Sequence, residues 1–93
     1  MAMLFQTNYS IIGGQDVAQA RALMARFGER GKGPGEIAHY VHADGSGGTV
    51  ISENTDVTVL HDVCLAYSQW LEFEIIPILT IDDAVPNLLN HFG

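Results

Sequence analysis

Four kinds of side chain in this 93-residue sequence carry the chemistry for a site: histidines, one cysteine, paired acids, and aromatic residues with a polar atom. His39 and His42 stand three apart in a strand-like segment, which turns them to opposite faces and keeps them from sharing a metal. One of the two therefore faces the interior. An imidazole in an apolar pocket serves as a general base or holds a ligand's polar group; the plainer role is a satisfied packing residue. His61 and Cys64, three apart in a helical segment, share a face. A closed zinc site takes three or four ligands, and only Asp62 and Glu53 lie near in sequence, so no metal site is expected. Cys64 also lacks a third group to orient a Cys–His pair, and it reads as a space-filling residue. Tyr9, Tyr67 and Trp70 either line a cavity for a flat apolar ligand or simply pack. Glu72 and Glu74 share one strand face, and at the start of a strand they point to solvent. The candidate ligand pocket is thus Tyr9, His39, His42, Tyr67 and Trp70. No catalytic residue is assigned, and no cofactor is called for.

The stretch His42-Ala43-Asp44-Gly45-Ser46-Gly47-Gly48-Thr49-Val50 resembles a phosphate loop only in its glycines. A phosphate-binding loop runs into a helix and carries a Lys with a Ser or Thr. Here the glycines run into the β-branched segment Thr49-Val50-Ile51, and no Lys is near. A dinucleotide fingerprint fails for the same reason. Asp-Gly between two strand-like runs predicts a hairpin, because its central positions accept positive φ.

The elements that must position these residues follow from periodicity. Met3 to Ile12 alternates as a strand. From Gln15 to Arg30 the period becomes helical, with Val17, Ala20, Leu23, Met24 and Phe27 in one apolar stripe. Glycines and Pro34 then mark the exit loop. Ile37 to Ala43 and Thr49 to Glu53 are the second and third strands. Asn54 or Thr55 caps a second helix that runs to about Leu71 and buries Val57, Leu60, Val63, Cys64 and Tyr67. Phe73 to Ile81 is a fourth strand, apolar on both faces, and Pro77 assigns it to a sheet edge or a bulge. Asp82-Asp83 opens a short terminal helix with Pro86 in its first turn. The order β-α-β-β-α-β plus a tail helix predicts a single ferredoxin-like α+β domain over residues 1–93. It is a four-stranded antiparallel sheet with two helices on one face.

Composition bounds what the domain does. Hydrophobic residues make up 47% of the chain and charged residues 16%, a large apolar supply for a small domain. The sheet face without helices then needs a cover, and a second copy packed sheet to sheet is the simplest one. A homodimer through the open sheet face is expected. Net charge is −7, and all four basic residues lie between Arg21 and Lys32. That argues against nucleic acid and against an anionic membrane surface. With one cysteine, no basic leader and no apolar run of spanning length, a soluble cytoplasmic protein is expected.

The Asp44–Gly48 run DGSGG, a following strand ending in Glu53, and the run WLEFEIIPIL from Trp70 to Leu79 together resemble the bacterial proteins of domain-of-unknown-function family 3303. The resemblance covers most of the chain in order and spacing. It implies the dimeric α/β-barrel superfamily, which also holds small monooxygenases and isomerases acting on apolar or aromatic molecules. It supplies no activity and no catalytic residues, so a cofactor-free monooxygenase- or isomerase-like activity is an analogy at the level of fold. Two functions remain open: a binder of a small apolar or aromatic molecule between sheet and helices, and a non-catalytic dimerisation or protein-interaction module. A pocket of the usual ligand size, roughly 300 Å³ or more, with a histidine aimed into it favours the first.

Overall fold

The computed structural model describes residues 3–93. The chain runs β1 (Met3–Ile11), α1 (Val17–Arg30), β2 (Glu36–Val41), β3 (Gly47–Asn54), α2 (Val57–Tyr67), β4 (Leu71–Ile78) and α3 (Ile81–Phe92). The strands form one antiparallel sheet in the order β2-β3-β1-β4. This is the ferredoxin-like α+β arrangement expected from the sequence, with α3 added. β4 lies at an edge, where the missing N–H of Pro77 leaves no central ladder bond unmade.

Local chemistry sets the helix ends. Asp16 and Gln19 cap α1 reciprocally: each backbone N–H donates to the other's side chain at 2.8 Å. At its end the Gly31 N–H donates to the Phe27 carbonyl at 2.9 Å. α2 is capped by Asp56, whose carboxylate accepts from the Thr58 N–H at 2.9 Å, and not by Asn54 or Thr55 as expected. Asn54 is the last residue of β3, and its amide donates instead to the Pro34 carbonyl at 3.4 Å. α2 also ends at Tyr67, short of Leu71, because a turn bond from the Trp70 N–H to the Tyr67 carbonyl hands the chain straight to β4. Thr80 caps α3, so Pro86 falls in the second turn and not the first. There it removes the donor to the Asp82 carbonyl.

The hairpin between β2 and β3 is tight. The His42 N–H donates to the Gly47 carbonyl and the Gly45 N–H to the His42 carbonyl, at 2.8 and 2.9 Å. Gly45 sits at φ 77°, which its missing Cβ permits. Strand boundaries shift accordingly: β2 stops at Val41, β3 already begins at Gly47, and β4 begins at Leu71.

The core is small. Tyr9, Leu23, Tyr67, Trp70 and Leu71 are buried together, with Phe27, Val50, Val63, Ala66 and Phe73 packed around them. The helical stripes are only partly used. Leu23 is buried, but Val17 and Met24 are 67% and 66% exposed, and Val57 is exposed as well. The opposite sheet face carries Leu4, Ile51, Ile76 and Ile78 at one end. At the other, Asn8 accepts from Gln6 and Thr49 and donates to Glu74. β4 is therefore apolar on its open side only in its second half, since Glu72 and Glu74 occupy the first. α3 buries no residue and leaves Ile81, Leu89 and Phe92 exposed. The radius of gyration, 15.8 Å, exceeds the ~13 Å of a compact domain of this size, as a helix standing off the body requires.

Candidate functional site

Strand parity decides which side chains the helices cover. On β1 they are Phe5, Thr7 and Tyr9, all buried. Opposite them on β3 stand Ser52, Val50 and Gly48. On β2, His39 pairs with Val50 and shares this face. Glu36 is three residues before His39 and in a regular strand would point the other way. A register shift between Glu36 and Ala38 turns it to the same face. Five polar side chains thus gather where a sheet meets its helices: Thr7, Tyr9, Glu36, His39 and Ser52. That interface ordinarily excludes polar groups unless they are bonded.

Tyr9 and His39 form the centre. The Tyr9 hydroxyl lies 2.6 Å from His39 Nε2, with the rings edge to face at 5.6 Å. Their strands are not neighbours, because β3 runs between them. The tyrosine crosses β3 over Gly48, and a Cβ there would collide with the Tyr9 hydroxyl. On the far side of the imidazole, Nδ1 is 3.7 Å from Glu36 Oε1. Burial, and then the Glu36 charge, push the Tyr9 phenol above its usual range, so its oxygen keeps its proton. A proton on Nδ1, the nitrogen facing the carboxylate, leaves Nε2 to accept and the phenol to donate.

A cavity of about 120 Å³ opens over this floor. Its walls are Phe27 from α1, Leu60, Val63 and Tyr67 from α2, and Leu71 and Phe73 from β4. The loop Gly31–Pro34 and Arg30 form the rim. Arg30 reaches Asp62 at 3.5 Å and lies 6.0 Å from the Tyr67 ring centre. Ser52 Oγ, in a residue only 2% exposed, has no hydrogen-bond partner. A shallower depression of about 260 Å³ adjoins it, sharing Tyr9, Phe27, His39 and Leu71. Both fall below the ~300 Å³ expected of a ligand pocket, so the volume does not meet that expectation and leaves room only for a smaller occupant. The smaller compares with the ~150 Å³ cavity that admits one benzene ring.

Of the residues singled out in the sequence, Tyr9, His39 and Tyr67 line the cavity. His42 does not. It follows the end of β2, exposed, with Nδ1 3.3 Å from Ser46 Oγ. Trp70 is buried in the core beneath the Arg26 guanidinium, 5.9 Å away, and lines neither space. Burial raises the half-buried Cys64 thiol, leaving it a poor nucleophile. Among the described residues no three His, Cys, Asp or Glu side chains converge as a metal site, and no helix is long and apolar enough to cross a membrane. The site residues that sequence reasoning missed are Thr7, Glu36 and Ser52. Thr7 shares Tyr9's strand face, a signal readable by alternation. Glu36 was hidden by the register shift.

The fold and this polar floor define a ferredoxin-like α+β domain with a ring-sized cavity between sheet and helices. The chain belongs to the family described as domain of unknown function DUF3303, whose family model matches residues 3–92. No curated protein and no solved structure matches it.

Proposed function

We propose that this protein binds a small apolar molecule of about one aromatic ring between its sheet and helices. The carrying observation is the polar floor of Tyr9, His39 and Glu36 beneath apolar walls. Apolar walls with a few converging polar groups are the usual make-up of a small-molecule site. The test is a thermal-shift screen of single-ring compounds against the wild type and His39→Phe, which fills the cavity floor with apolar bulk. Compounds that raise the melting temperature of the wild type and not of the variant support the reading. A screen without a hit, or hits indifferent to the variant, sinks it.

A second reading has its own support. The small core, the apolar end of the open sheet face and the exposed apolar residues of α3 favour a homodimer joined through the open face. The two readings are compatible, since the cavity lies on the opposite side of the sheet.

A further inference from the structure

We infer that the ligand is a weak acid of the phenol or enol class, bound as its anion after giving a proton to His39 through Tyr9; this rests on the ligand-binding reading above. The geometry is that of a relay. In the empty site the Tyr9 hydroxyl meets Nε2 at 2.6 Å, and both residues line the cavity; with the O–H donating to Nε2, the relay uses the remaining lone pair of the phenol oxygen. A ligand hydroxyl reaching that oxygen donates to it. The ligand O–H bond breaks, its proton joins the Tyr9 oxygen, and the Tyr9 proton moves to Nε2. The products are a ligand oxyanion, a neutral phenol that now donates to it, and an imidazolium. Atoms and charge balance with no further reactant.

The charged groups around the cavity are of both signs. Glu36 Oε1 lies 3.7 Å from Nδ1 on β2 and lines the cavity. Arg30 at the end of α1, which also reaches Asp62, and Lys32 in the following loop line it as well. From α2 the cavity receives only Tyr67 as a titratable group; β3 contributes Val50 and Ser52, and β4 contributes Leu71 and Phe73. A cavity near 120 Å³ limits the occupant to one ring, with its far substituent at the rim.

The probe is 4-nitrophenol, whose neutral and ionised forms absorb differently, with nitrobenzene as the non-ionisable control. It is added to the full chain at a pH where the free probe is mostly neutral. The expected result is an ionised spectrum for the bound probe, an ionisation midpoint lowered by about one pH unit or more, and nitrobenzene at least about tenfold weaker. Tyr9→Phe keeps the ring's bulk. It is expected to bind 4-nitrophenol only in its neutral form and to lose the wild type's preference for 4-nitrophenol over nitrobenzene. A neutral spectrum in the wild type, equal affinity for nitrobenzene, or an ionised spectrum retained in Tyr9→Phe overturns the relay while leaving the pocket reading intact. If neither probe binds, the pocket reading falls, and the relay with it.

Discussion

The hydroxyl of Tyr9 meets Nε2 of His39 at 2.6 Å across an intervening strand, and it does so because residue 48 has no side chain. A Cβ on Gly48 would also stand 2.6 Å from Tyr9 Cζ and from the Tyr40 carbonyl oxygen. Gly48→Ala is therefore expected to displace the ring, break the bond and destabilise the fold by about 1–3 kcal/mol. Gly13, with open space where a Cβ would go, is the control: Gly13→Ala should stay within about 0.5 kcal/mol of wild type. Urea denaturation measures both. Equal stability of the two variants would show that Tyr9 does not cross at Gly48.

The Ser52 oxygen is buried and unpaired, so Ser52→Ala removes a burden from the protein. Stability should be unchanged or rise by up to about 1 kcal/mol. Urea denaturation of the variant reads the sign. A loss of stability would mean that the hydroxyl is bonded within the fold.

Acid sensitivity should show at α2. Hydrogen bonds from the Thr58 side chain and backbone hold the Asp56 carboxyl below its ordinary 3.8. A depressed folded-state value contributes stability that is present above pH 3.8 and lost as pH falls through the lower folded value. Wild type should thus lose melting temperature below pH 3.8 more steeply than Asp56→Ala, which starts lower because it lacks the cap. Parallel pH profiles would contradict the assignment.

The open sheet face carries a separate expectation. The full chain should sediment at twice its 10.1 kDa mass at micromolar concentration. Ile76→Glu, which places a charge among Leu4, Ile51 and Ile78, should give a monomer with unchanged circular dichroism. A wild-type monomer at that concentration removes the dimer.

Much of the architecture was legible because it follows from periodicity. The alternation around Phe5, Thr7 and Tyr9, the stripe through Leu23 and Phe27, and the Asp44–Gly45 turn predict the element order along the chain and the hairpin without any tertiary information. The site was legible only in part. Tyr9, His39 and Tyr67 stand out as residue types, but which histidine faces inward depends on register. The single irregularity in β2 brings Glu36 beneath His39, and no local pattern announces it. The indole chemistry of Trp70 suggests a pocket residue, whereas its place just before β4 buries it in the core. The role of Gly48 is invisible in sequence because it belongs to the side chain that crosses it.

The most direct measurement is backbone and side-chain NMR shift mapping during titration of the full chain with phenol. Binding over the polar floor should move the resonances of Thr7, Tyr9, His39, Val50 and Ser52 together, with one saturation curve, and leave Tyr40, Glu74 and Ile76 on the opposite face unmoved. Shifts confined to the open face, or none up to millimolar phenol, would contradict a ligand site between sheet and helices.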